Sequence, residues 1–135
     1  MITILAVGKL KSPYRELAED FLKRMPRFVR VIEIKEGDKV RETKEIIEKL
    51  EDFDGEKILC DSRGRLVEFG YFERIGEAVF VIGGPEGFTD EIKEHIDDVI
   101  SFSRLTFNHQ LFRIMLLEQM YRLYCLRKGM RYPHY

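Results

Sequence analysis

Four short stretches hold most of the residues able to do chemistry. The last five positions read Arg131-Tyr132-Pro133-His134-Tyr135, crowding rings and a guanidinium together. A tail that merely frays is usually polar and poor in aromatics. Rings beside an arginine suit stacking on an unpaired RNA base instead. Gly83-Gly84-Pro85-Glu86-Gly87 combines backbone freedom with a stiffening proline. It is neither a G-x-G-x-x-G run nor a phosphate loop with its lysine, so it reads as a ligand loop or as a tight strand-to-helix turn. The remaining two stretches follow apolar runs: Cys60-Asp61, and Ser103 to His109. His109 is either functional or a helix cap, and His95, in an acidic segment, reads as surface. No Ser-His-Asp arrangement, paired-cysteine motif or metal-spaced cluster is present, so hydrolytic and metal chemistry have no support.

These residues need elements to position them. Ile2–Val7 reads as a short buried strand closed by Gly8. Ser12-Pro13 reads as N-cap and first helical residue of a helix that Pro26 ends. Residues 28–34 read as a second strand, Gly37-Asp38 as a turn, and Thr43–Leu50 as an amphipathic helix. Lys57–Asp61 reads as a third strand, followed by a polar loop from Ser62 to Arg65. Residues 66–75 form a short helix interrupted at Gly70. Ala78–Ile82 shows no alternation, as in a strand buried on both faces. Thr89-Asp90-Glu91 caps a helix carrying Ile92, Ile96 and Val99. Residues 100–107 read as a fifth strand, and Gln110–Arg127 as a long helix with Gly129 as its C′ residue.

Strands alternating with helices predict an α/β domain over residues 1–135, with a mostly parallel sheet and helices on both faces. In such sheets ligands bind beyond the carboxyl ends of the strands, where three of the four stretches fall. The last helix is apolar nearly all round. One side must cover the sheet, and the other predicts a second subunit.

Composition narrows the class. With 44% hydrophobic and 35% charged residues, 135 residues support one ordinary core. The two cysteines, Cys60 and Cys125, sit far apart in apolar runs, as expected of free thiols in a reducing compartment. The apolar start lacks a basic leader, and no run approaches a membrane span, so a soluble cytoplasmic protein is expected. A net charge of −1 does not announce a nucleic-acid binder. Yet from Arg104 onward the chain carries Arg113, Arg122, Arg127, Lys128 and Arg131 against Glu118 alone, enough for a basic face.

Taken in order, "ITILAVGKLK", "VFVIGGPEG", "SFSRLTFNHQLFRIMLLEQMYRLY" and the Tyr/His tail resemble the RlmH family over essentially the whole chain. These are SPOUT-class methyltransferases acting on N3 of a pseudouridine in large-subunit (23S) ribosomal RNA. The resemblance implies a C-terminal trefoil knot, which general rules of chain topology would never propose. It also implies S-adenosyl-L-methionine as cofactor, no metal, pairing of two subunits through knot helices, and ribosomal RNA on the assembled ribosome as partner.

Carried over by position, the resemblance implies that Cys60, where leucine is common, lines the adenosine pocket. Gly83 opens the loop that admits the cofactor. Phe102, Ser103, Arg104, Leu105, Thr106 and Phe107 wrap the cofactor, largely through backbone groups. Asn108 stands where proline is usual. The family tail reads Pro-Tyr-His and then a basic residue, whereas here the order is Tyr132-Pro133-His134-Tyr135. Tyr132, His134 and Arg131 are the implied catalytic positions, with His134 or a nearby carboxylate taking the N3 proton and Arg104 or Arg131 stabilising the anion that develops. Two rival readings stay open: a ribosome-associated, non-catalytic binder of the same cofactor, and a flavodoxin-type nucleotide-binding domain.

Overall fold

Ile2–Val7 (β1) is buried at every position, which places this strand inside the sheet rather than at its edge. The computed structural model describes residues 1–132. Four further strands join it: Val29–Ile34 (β2), Glu56–Leu66 (β3), Ala78–Ile82 (β4) and Asp98–Ser101 (β5). All neighbours are parallel, in the order β2-β1-β4-β3-β5. Alternation along each strand divides the core in two. Ile2, Ile4 and Ala6 meet one layer, built on Tyr14–Arg24 (α1), Phe69–Glu73 (α3) and His109–Arg127 (α4). Leu5 and Val7 meet the other, built on Lys39–Leu50 (α2) and a 3-10 helix, Asp90–His95. The α/β architecture with helices on both faces is the one the sequence predicts.

Several boundaries differ, each for a local reason. α1 starts one residue late: Pro13 occupies the N-cap, and the Ser12 hydroxyl donates to the Glu16 carboxylate rather than capping the backbone. α2 starts four residues earlier than Thr43, because the Asp38 side chain accepts the Arg41 N–H and caps it. The polar stretch from Ser62 to Arg65 is not a loop. It extends β3 through a bulge, where both Cys60 and Arg65 pair with Ile100. Gly64 makes that possible, since a Cβ there would stand 2.7 Å from the Ile100 carbonyl carbon. Gly70 lies inside α3 instead of breaking it. The helix after Thr89 is a single 3-10 stretch that ends at His95, leaving Val99 in β5.

The largest correction is β5, which stops at Ser101 rather than running to Phe107. Ser101 Oγ donates to the Ser103 carbonyl at 2.6 Å, and Ser103 Oγ accepts the Leu105 N–H at 3.0 Å. Serine side chains bonding nearby backbone offer the chain an alternative to a sheet ladder, and here the alternative wins. Asn108 then caps α4 by accepting the Gln110 N–H at 2.8 Å, and Gly129 follows α4 at φ +68°.

Candidate active site

The carboxyl end of the sheet opens into a cleft of about 340 Å³, within the roughly 300–1,000 Å³ range of small-molecule sites. Its walls come from the three strand-end stretches. Leu59 to Arg63 of β3 form one wall, Ile82 to Thr89 the floor, and Ser101 to Ser103 with Leu105 to Phe107 the opposite wall; His109 and Phe112 of α4 close the back. Chain direction explains the convergence. After β4 the chain leaves toward the α2 layer, whereas after β3 and β5 it leaves toward the α4 layer. Neighbouring strands whose continuations part leave a crevice between their ends.

Cys60 lines this cleft, and burial, with the Asp61 charge beside it, pushes its thiol far above the usual range. It stays neutral and serves as a small apolar wall. Asp61 behaves oppositely. Hydrogen bonds from the Arg63 guanidinium hold its carboxyl below the usual carboxylate range, at 3.1 Å from Nη2 to Oδ2. Gly83 sits under the loop that returns through Phe88, whose ring a Cβ on Gly83 would meet at 3.1 Å. Phe102 faces the cleft and packs on Phe112, ring centroids 4.7 Å apart. Ser103, Leu105, Thr106 and Phe107 line the same wall, with Leu105 largely exposed.

Arg104 does not line the cleft. Its Nη1 donates to the carbonyls of Ser62 at 2.9 Å and Gly64 at 2.8 Å, tying the 102–107 wall to the bulge of β3. Nη1 of that guanidinium is thereby held by backbone carbonyls, and the side chain clamps the wall of the cleft. Arg131 and Tyr132 are also absent from the lining of the cleft. The Tyr132 hydroxyl donates to Glu118, midway along α4, and the Arg122 guanidinium lies 4.8 Å over the Tyr132 ring while bonding the same carboxylate. Burial and the Glu118 contact both raise the Tyr132 phenol above its ordinary range. Arg131 is exposed, and His134 lies outside the described residues.

Sequence reasoning missed three features. Phe112 is hidden in the apolar stripes of α4. Arg113 is 1% exposed, bonds Glu33 at 2.6 Å and donates to the Gly8 carbonyl at 2.9 Å. Its signal is a charge flanked by Leu111, Phe112, Ile114 and Met115 in the first half of α4. Glu42 and Thr43 are buried on α2, and their signal is polar residues on the face that carries Ile46 and Leu50.

The profile of a family described as Predicted SPOUT methyltransferase matches residues 1–134. The chain belongs to the SPOUT methyltransferase family. Proteins named ribosomal RNA large subunit methyltransferase H are similar to it along nearly their whole length. One from Caldicellulosiruptor saccharolyticus is 38% identical, covering 98% of this chain and 99% of its own. One from Mycoplasmopsis synoviae is 34% identical, covering 97% of each. One from Cytophaga hutchinsonii is 32% identical, covering 98% of this chain and 99% of its own. The cleft described above is therefore the candidate active site of a SPOUT methyltransferase. Among the described residues no helix is long and apolar enough to cross a membrane, and no three His, Cys, Asp or Glu side chains are grouped to hold a metal ion.

Proposed function

We propose that this methyltransferase uses S-adenosyl-L-methionine to methylate N3 of a pseudouridine in large-subunit (23S) ribosomal RNA, on the assembled ribosome. The convergence of three strand-end segments on one cleft is the observation that carries the reading. The donor set fits the cofactor. Apolar walls from Cys60, Leu105 and Phe107 suit an adenosine, and the charged rim of Asp61, Arg63 and Lys93 suits an amino-acid head. The bound cofactor supplies a sulfonium-activated methyl group.

The chain's own residues do the rest. Gly83 keeps the floor open, and the Ser101–Ser103 turn with the Arg104 clamp fixes the wall in advance of binding. Residues 102–107 pass beside the β3 bulge, the segment to which the resemblance assigns the trefoil knot, and the knot is part of this reading. Tyr132, His134 and Arg131 are the catalytic residues of this reading, with Tyr132 and Arg131 completing the site from a second subunit. Glu118, which holds Tyr132, is nine residues along α4 from His109 at the cleft, about 13 Å at 1.5 Å per residue. Leu17 of α1 and Leu111 and Leu126 of α4, all exposed, offer apolar surface for that pairing. So small a chain offers little surface for sequence readout, which favours a structured substrate. The proposed place of work is the cytoplasm.

The test is calorimetric titration with S-adenosylmethionine and S-adenosylhomocysteine, followed by methylation assays on ribosomes and on a protein-free hairpin. Saturable binding and methylation of ribosomes alone are expected. Failure to bind either compound would reject the cofactor, and efficient methylation of the hairpin would reject the assembled substrate.

A further inference from the structure

We propose that the carboxyl-terminal ends of α1 and α4 together form a docking face for the sugar–phosphate backbone of the substrate RNA. The assignment rests on the RNA-methylation reading above and adds the surface that holds the strand. It begins from charge. Within residues 20–28 and 118–132, seven cations stand against two acids, Asp20 and Glu118. Both acids are already bonded, Asp20 to Arg24 at 3.0 Å and Glu118 to Arg122 at 2.6 Å. Lys23, Arg27, Lys128 and Arg131 are exposed and make no ion pair among the described residues. The acids concentrate across the sheet. Residues 36–56 and 86–98, which supply α2 and the 3-10 helix, carry fifteen acids against five cations. A chain of net charge −1 thus has one strongly positive end, and its field turns that end toward a polyanion.

The two segments are distant in sequence but form one surface. Phe21 packs on Tyr121, ring centroids 6.0 Å apart, and Phe28 on Tyr124 at 5.3 Å. Cations lie over the same rings, Arg24 at 5.9 Å from the Tyr121 centroid and the Lys128 ammonium at 5.8 Å from that of Tyr124. Stacking holds the Lys128 ammonium without using its N–H donors, which stay free for phosphate oxygens. Helix dipoles favour Lys23, Arg24 and Arg127 in the last turns of α1 and α4. They do not explain Arg27, which lies past the end of α1. Its φ is +60°, a left-handed conformation in which glycine or asparagine is the less strained choice. Arginine at this position adds charge to the face at the expense of backbone strain.

The face continues into the tail. Tyr132 packs on Tyr121 with centroids 5.9 Å apart, and the reading above brings Tyr132 to a partner's cleft. A strand whose target base enters that cleft past Tyr132 runs onto this face next. Within one subunit the face stands about 27 Å from the cleft, the length of α4 from His109 to Arg127 at 1.5 Å per residue. It therefore holds flanking RNA, not the target base or the cofactor. An RNA strand carries a charge at every nucleotide. Free cations spread over two helix ends suit such a strand better than one compact anion.

The experiment combines Lys23→Gln, Arg27→Gln and Lys128→Gln in one neutral variant. It is compared with wild type and with a charge-keeping variant, Lys23→Arg, Arg27→Lys and Lys128→Arg. Binding of a fluorescent oligouridine is read by anisotropy between about 50 and 200 mM salt. Ribosome titration gives methylation, calorimetry with S-adenosylhomocysteine gives cofactor binding, and sedimentation equilibrium gives the state of assembly. The neutral variant is expected to bind oligouridine and ribosomes about tenfold more weakly. Its salt slope is expected to be shallower by about 2, from three phosphate contacts at roughly 0.7 each. Its rate at saturating ribosomes and its S-adenosylhomocysteine affinity should stay within about twofold of wild type, and the charge-keeping variant should match wild type. Unchanged oligouridine binding overturns the proposal even where ribosome affinity drops, because the face then meets protein. So does equal weakening in the charge-keeping variant, or a neutral variant that sediments lighter than wild type. Wild-type protein that binds oligouridine through this face but fails to methylate ribosomes would sink the methyl-transfer reading instead.

Discussion

A side chain at Gly83 would press on the loop that returns over it. The Phe88 ring and the Gly87 Cα lie 3.1 and 3.3 Å from where its Cβ would stand. Gly83→Val is therefore expected to lift the loop and weaken S-adenosylmethionine binding by about tenfold or more, read by calorimetry, with the far-ultraviolet spectrum preserved. At Asp61 the prediction concerns pH. Its folded carboxyl titrates below the ordinary range because Arg63 bonds the ionised form. That pair contributes stability above the ordinary carboxylate range and loses it as pH falls through the lowered value. Arg63→Ala should reduce stability slightly at neutral pH and not at all in strong acid, compared by urea unfolding at both. Equal losses at both would refute it. Gly83 and Cys60 were legible in the sequence because Gly83 follows the apolar run of β4 and Cys60 ends the apolar run of β3 ahead of its bulge. The clamping role of Arg104 was not, because carbonyls 42 and 40 residues away leave no trace in local pattern.

Elements were legible where period and caps agreed. The unbroken AVFVI of β4 and the long apolar run of α4 fall where the sequence places them. The end of β5 was illegible: Ile100-Ser-Phe-Ser103 alternates as a strand would, and two serine hydroxyls end it. The β3 extension was hidden because its polar letters resemble a loop, and only the contact of Gly64 with Ile100 reveals the bulge. Two predictions belong here. Asn108→Ala removes the side-chain cap of α4 and should cost about 1 kcal/mol of stability in denaturant unfolding. Arg104→Gln should loosen the wall and raise the dissociation constant for S-adenosylmethionine about 5- to 10-fold, an effect of order 1 kcal/mol. Unchanged affinity would show that the wall holds without its clamp.

The molecule as a whole has two separate cores with one sheet between them, and its layers follow from strand alternation. What single-sequence reading cannot supply at this scale is strand order, since β1 and β4 share no local signal. If two copies pair through α1 and α4, sedimentation equilibrium should give twice the chain mass of 16.1 kDa. Leu111→Glu should shift that equilibrium toward single chains and reduce methylation more than cofactor binding. A wild-type protein that sediments as one chain would remove the second subunit from the site.

The strand order also bears on synthesis. β1 pairs with β2 at once, but its other neighbour is β4, some 76 residues further along. Until residue 82 leaves the ribosome, the inner edge of β1 is bare, and such edges invite wrong partners. Every lining residue of the cleft lies between Leu59 and Phe112, so this hollow is built wholly from later-made chain. A nascent chain stalled before Ala78 carries β1 with one edge unpaired and lacks both the Ile82–Thr89 floor and the later wall of the cleft.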